Sequence, residues 1–247
     1  MDATMFRMLL ASISLFVITG ARAQDLKLPK FAPEDSWIYH EAIQKGDKTE
    51  ANDREMSVVR SDDQDLLVSI KTVGSTRPPV EVMFKPDWAN FRGVNGVETV
   101  VNRPLAFPLA LGKSWGVNYV ENNPNPRFVR ESIDIIYKVV GWEDLTTPAG
   151  AFKALKIEGK GNWVTDSAAR VQTNSVLAKQ GAALAQSSQN VVQGPQRATG
   201  RIYRVVWYVP DVKRWVKLRY EVLSSTGQVT NSEEAELTAF HVAPASP

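Results

Sequence analysis

No cysteine occurs anywhere in the 247 residues, which excludes disulfide frameworks, thiol nucleophiles, zinc–thiolate centres and lipid attachment to an N-terminal cysteine. Histidine is almost as scarce. Only His40 and His241 are present, near opposite ends of the chain, so imidazole-rich metal and acid/base sites are hard to build. An excess of one charge sign is also missing: 29 basic against 27 acidic residues leave a formal charge of +2, too little for a charge-driven nucleic-acid binder. Beyond the first segment there is no long apolar run and almost no helical periodicity. The remaining balance, 43% hydrophobic, 9% aromatic and 23% charged, excludes a disordered or collagen-like chain.

The first segment has the layout of a signal peptide. Arg7 precedes the apolar run Met8 to Ile18, and Ala21-Arg22-Ala23 supplies the small residues of a cleavage site. The run is shorter than the roughly 20 residues that span a bilayer, which favours cleavage after Ala23 over an uncleaved anchor. Removing Arg7, Arg22 and Asp2 from 29 basic and 27 acidic residues leaves 27 and 26 on a mature chain of Gln24 to Pro247. No later segment is apolar enough to span a membrane. An exported chain without cysteine suits a bacterial periplasm or exterior, because it needs no oxidative folding.

From Ser36 onward apolar residues recur mostly at period two between turn residues, the signature of antiparallel strands. Lys45-Gly46-Asp47, Asp62 to Asp65 and Gly74 to Pro79 punctuate the first half, and Asn95-Gly96 is a tight-hairpin dipeptide. Pro104 and Pro108 argue against a central strand between the halves. In the second half Ile133, Ile135, Tyr137 and Val139 share one face, and Thr147-Pro148-Ala149-Gly150 turns the chain into Phe152 to Glu158. A second hairpin pairs Arg201 to Tyr208 with Val212 to Leu223, turning through Val209-Pro210-Asp211. The pattern predicts an all-β, mainly antiparallel fold: a single strongly curved sheet or half-barrel in one domain, 24–247.

An insertion from about Ser167 to Arg197 is rich in Ala, Gln, Ser and Asn and lacks aromatics. Leu177, Leu184 and Val191 are spaced by seven, which predicts a short amphipathic helix interrupted by Gly181, with a mobile surface insertion as the competing expectation. A lid over a cavity is its functional reading. Ser36-Trp37 and Ser114-Trp115 each lead into a strand with a nearby tyrosine. This pair reads as two tryptophans plugging the ends of one sheet core rather than as two domains.

Catalytic motifs fail on context. Gly112-Lys113-Ser114-Trp115-Gly116 matches a serine-hydrolase elbow, but a Pro-rich loop precedes it and a strand-like run follows, where the elbow needs a strand and then a helix. A phosphate loop is excluded because Phe107 stands where its first glycine belongs. His40 and His241 could each offer one metal ligand beside carboxylates such as Glu41, so solvent-facing roles are favoured. Asp62-Asp63 and Glu233-Glu234 are adjacent, and adjacent strand residues point to opposite faces. No catalytic residue, metal or cofactor is nominated.

The segment Arg201 to Tyr220 carries Arg201, Arg204, Lys213, Arg214, Lys217 and Arg219 among Tyr203, Trp207, Tyr208, Trp215 and Tyr220. Export argues against nucleic acid. Outside the cytoplasm such a hairpin could meet anionic lipid, lipopolysaccharide or a cell-wall polymer, although ordinary sheet construction accounts for it as well.

Pro148 to Ile157, Trp207-Tyr208-Val209-Pro210-Asp211 continuing to Lys217, and the Leu111-Gly112-Lys113-Ser114-Trp115 segment together resemble a loose group of exported bacterial β-proteins of unknown function. The resemblance spans mainly Leu109 to Tyr220 and implies an antiparallel, half-barrel sheet in a periplasmic setting, with no established activity. The leading expectation is a non-enzymatic exported protein that binds an apolar or amphipathic envelope ligand or acts as an envelope accessory factor. Its candidate ligand-binding residues are Trp37, Tyr39, Trp115, Trp207, Tyr208, Arg214, Trp215 and Lys217. All seven tryptophans lie in the mature chain, and a curved sheet of this size encloses either its own side chains or a ligand. The alternatives are a carboxylate-dependent hydrolase and a purely structural or protein-interaction module.

Overall fold

Period-two alternation becomes strand almost everywhere in the computed structural model, which describes residues 25–180 and 183–243. The leader with its cleavage point, and Gly181 in the insertion, lie outside the described residues. The strands are β1 (Ser36–Lys45), β2 (Lys48–Ser61), β3 (Leu66–Thr72), β4 (Val80–Phe84), β5 (Asn90–Val94), β6 (Val97–Asn102) and β7 (Ser114–Asn125). They continue as β8 (Phe128–Thr147), β9 (Gly150–Ser167), β10 (Arg170–Gln180), β11 (Ala183–Gln193), β12 (Gln196–Val209), β13 (Arg214–Ser224) and β14 (Val229–His241). Ten of them form one antiparallel sheet in the order β4-β3-β2-β1-β14-β13-β12-β9-β8-β7. It is a meander in which the two ends of the chain pair, β1 against β14. Strands β4 and β7 remain unpaired edges, so the sheet does not close into a barrel.

The turns follow their residues. Asn95 and Gly96 take φ of 50° and 82° between β5 and β6, the positive angles a two-residue hairpin needs. The β5–β6 hairpin lies beside the gap between the edges. Asn95 Nδ2 donates to the Val120 carbonyl, the Asn122 amide donates to Asn95 Oδ1, and Arg92 pairs with Glu121 on β7.

The insertion differs from expectation. Residues 170–180 and 183–193 form strands β10 and β11, paired from Arg170↔Gln193 to Gln180↔Ala183, not an amphipathic helix. Strands β9 and β12 already pair up to Ser167↔Gln196, so the ladder has only to continue outward. Serine, threonine, asparagine and valine, abundant here, all weaken a helix interior.

The core fills one end of the curved inner face. Strand residues Trp37, Tyr39, Val58, Leu66, Val68, Tyr137, Val139, Ile157, Val206 and Leu237 are buried there. The turn after β4 contributes Trp88, and the Pro-rich crossing from β6 to β7 contributes Leu105 and Leu109. Leu109 is held by reciprocal backbone hydrogen bonds of 2.9 Å to Leu26. The prolines thus mark a non-strand segment that seals this end from within.

The same end is pinned at the turn Pro210–Val212, which leads into Lys213 at φ 60°. Trp37 Nε1 donates to the Val212 carbonyl at 2.8 Å, Trp88 Nε1 to that of Lys213 at 3.2 Å, and the Tyr39 hydroxyl to that of Trp215 at 2.6 Å. Lys213 Nζ lies 2.8 and 3.1 Å from the two carboxylate oxygens of Asp35, which is fully buried and also accepts from the Ala32 and Ala243 amides. Removing one member of such a pair strands the other charge without solvent or partner. Asp35→Ala is therefore expected to lower stability by about 3–5 kcal/mol in urea denaturation. Lys217→Gln, which breaks the half-exposed pair with Glu236, should cost about 1 kcal/mol or less.

Candidate functional site

Register assigns the inner face residue by residue, because directly opposed side chains share a face and alternate residues along a strand return to it. One row across the sheet runs Asn52, Glu41, Ala235, Leu218, Val206, Ile157 and Val139. Two residues further along lies a second row: Glu233, Tyr220, Arg204, Gly159, Tyr137 and Trp115. Beyond it stand Val222, Ile202, Gly161, Ile135 and Val117, then Trp163, Ile133 and Tyr119. The first row closes the packed end. From the second row outward burial becomes uneven: Tyr137, Ile202, Ile135 and Val117 are buried, whereas Tyr220, Arg204, Val222, Trp163, Ile133 and Tyr119 face inward and are only half-buried.

Four of the eight sequence-nominated residues come together, in the packed half. The Arg214 guanidinium carbon lies 3.8 Å from the Trp88 ring centroid, 4.1 Å from Trp215, 5.5 Å from Tyr39 and 5.7 Å from Trp37. Arg214 is buried, and its Nε and Nη1 have no hydrogen-bond partner. Burial pulls its guanidinium below the ordinary value, while Tyr39 and then Glu41 oppose that. The cage is a cation held by ring faces. A register shift between Trp207 and Tyr208 sets Trp215 opposite Tyr208, so both Trp215 and Val216 are buried, which simple alternation does not anticipate.

The other four lie elsewhere. Tyr208 is buried, edge-on to Phe107 at 5.5 Å. Trp115 stacks on Tyr137 at 5.6 Å and donates to the Arg103 carbonyl. Trp207 and Lys217 are opposite each other on the outer face, paired with Glu143 and Glu236. The basic hairpin is likewise no basic face: Lys213 is buried against Asp35, Arg219 pairs with Glu221 and Glu234, and Arg204 faces inward. Among the described residues only Arg201 of the six is both exposed and without an ion pair.

Sequence reasoning missed Trp88, whose signal was the turn dipeptide Pro86-Asp87, and it missed Arg204, Tyr137 and Tyr220 as a group. Gly159 permits their arrangement. A Cβ there would stand 2.6 Å from Tyr137 Cε1, so the ring lies over β9 on the side of Arg204. Arg204 stacks on Tyr220 at 4.5 Å, and the Tyr137 hydroxyl donates to Asn102 at 2.9 Å. Glu41 faces inward, 3.0 Å from Arg54 Nε, whereas His40 is exposed and 2.7 Å from Asp53. The two therefore cannot share a metal, and among the described residues no three His, Asp or Glu gather as a metal site. Ser114 starts β7 with no helix after it, as the failed elbow motif requires.

Two cavities open at the packed end. One of about 680 Å³ is lined by residues including Lys27, Leu28, Lys85, Asp87, Arg103 and Phe107, of which Asp87 lies 2.6 Å from Arg103 and Lys85 lies 3.1 Å from Asp65. The other, about 640 Å³, lies among Trp142, Phe152, Val209, Val212 and Phe240. The buried side-chain polar atoms without partners, among the described residues, belong instead to Glu41, Asn52, Arg204 and Arg214. All four line the inner side of the sheet.

No family model matches the sequence, and no curated protein matches it. Two solved structures are similar: a presumed lipoprotein from Parabacteroides distasonis at 14% identity, and a presumed exported protein with a YmcC-like fold from Bacteroides fragilis at 13%. In each case the match covers 88% of this chain and 100% of the other, with a TM-score of 0.43.

Burial pushes the Glu41 carboxyl up, Arg54 pulls it down and Glu233 pushes it up again, with a net rise. A carboxyl whose folded value exceeds its unfolded one binds protons more readily when folded. Its contribution to stability is therefore present below the ordinary carboxylate range and declines as pH rises through the raised value. Urea midpoints between pH 4 and 7 should thus show Glu41→Gln gaining on the wild type as pH increases. A constant difference would contradict this origin.

Proposed function

We propose that this chain is an exported, non-enzymatic binding protein that receives an apolar or amphipathic envelope ligand on the open half of its inner face. The observation carrying the reading is the change along that face. Trp37, Tyr39, Val206 and Leu237 are fully buried at one end, whereas Trp163, Ile133, Val222, Tyr119 and Tyr220 point inward and are only half-buried at the other. Inward apolar surface left uncovered is what a concave ligand site consists of. Export rests on the leader sequence. Among the described residues no helix is long and apolar enough to cross a membrane.

A second reading, a carboxylate-dependent hydrolase, is favoured by one arrangement. Glu121 and Glu131 are directly opposed on β7 and β8. Arg92 holds Glu121 below the ordinary carboxylate value, while burial and the Glu121 charge push Glu131 above it. Two carboxyls driven apart in this way can divide acid and base roles.

Purification from a periplasmic extract followed by native mass spectrometry separates the readings. A binding protein should carry an extractable ligand, and its tryptophan emission should shift when that ligand is removed. A single unliganded mass, unchanged by added lipids, would sink the binding reading. The hydrolase requires turnover of aryl ester or glycoside substrates that Glu131→Gln abolishes.

A further inference from the structure

We infer that Arg204 is the anion-binding end of this site, and that the ligand is a single-chain amphiphile with an anionic head, a carboxylate or a phosphate. The inference rests on the binding reading above and names the ligand class. Arg204 sits in the middle of the sheet, between Tyr220 and Gly159 in register, where the packed inner face gives way to the open one. Its guanidinium stacks on Tyr220, and its Nε is buried without a hydrogen-bond partner. Among the described residues no carboxylate approaches it within ion-pair distance, although nearly every other inward or half-buried cation has one: Arg54 has Glu41, Arg92 has Glu121 and Lys213 has Asp35. The nearest acid in its row, Glu233, lies beyond Tyr220.

Arg214 shares the lack of a carboxylate, but four aromatic rings surround it and leave no route for a ligand. Along the same face from Arg204 lie the buried Ile202 opposite the half-buried Val222, and then, at the level of Gly200, the half-buried Trp163 and Ile133. A half-buried guanidinium whose Nε lacks a partner is costly unless an acceptor meets it. Its planar fork suits the two oxygens of a carboxylate or phosphate. An acyl chain extending from that head would run past Val222 toward Trp163, burying the parts of these side chains that the protein leaves exposed.

The test titrates the delipidated protein with oleate, oleoyl lysophosphatidate, oleyl alcohol and inorganic phosphate, read by tryptophan fluorescence. Charge-assisted hydrogen bonds predict that at least one anionic amphiphile binds about tenfold or more tightly than the alcohol. Arg204→Leu should reduce that ligand to the affinity of the alcohol while leaving the alcohol itself unchanged, and Arg204→Lys should retain part of the preference. Equal affinities of all three amphiphiles in the wild type would overturn the anion site and leave the binding reading standing, a comparison that needs no variant to fold. A preference surviving in a folded Arg204→Leu would remove Arg204 from the role. Phosphate binding as tightly as the amphiphiles would overturn the acyl component. Failure of every amphiphile to bind would bring down the binding reading itself.

Discussion

Everything at the closed end depends on holding three successive stretches of backbone at the β12–β13 turn. Trp37, Trp88 and Tyr39 each spend their single polar group on a carbonyl of Val212, Lys213 or Trp215, and Lys213 is fixed by the buried carboxylate of Asp35. Indole and phenol are suited to this, since each buries a large apolar body while its one donor reaches a partner. In a chain without cysteine no disulfide can tie the first strand of the sheet to the last in sequence. The clamp does so instead, because Asp35 and Trp37 lie at the start of β1 and the Ala243 amide, beyond β14, donates to Asp35.

Sealing one end leaves the other open. The turn bearing Trp88 and the Pro-rich crossing are spent on the closed half, with Phe31 and Trp37 edge-on to Trp88 at 5.4 and 5.3 Å. The long strands β8, β9 and β12 then extend past the plug, where their inward Ile133, Trp163 and Arg204 are only half-buried. The two inward arginines show the contrast. Arg214, inside the plugged half, is enclosed by four ring faces, whereas Arg204 stacks on one ring and is only half-buried.

Much of the architecture was legible from alternation and turn chemistry. Asn95-Gly96, Pro148 to Gly150 and Val209 to Asp211 all turn where their residues require, and the face read for Ile133 to Val139 is the face observed. The helical reading of the insertion fails because a spacing of seven suits a helix, while a hairpin continuing an existing ladder leaves no such mark in the sequence. Of the nominated binding residues, Trp37, Tyr39, Arg214 and Trp215 gather, but as part of the packed half, and Trp207 and Lys217 fall on the outer face, because side chains along β12 and β13 alternate and a run of charges there cannot face one way.

The sequence by itself determined the strands, most of their turns and the exclusion of thiol and imidazole-rich chemistry, since these follow from residue type and period over a few neighbours. Only the tertiary structure decided which residues meet. The pairing of β1 with β14, the insertion of Trp88 over Arg214, and the row from Glu233 through Arg204 to Trp115 each join residues distant in the chain. Such contacts depend on strand order and register, and neither leaves a local signature in the sequence.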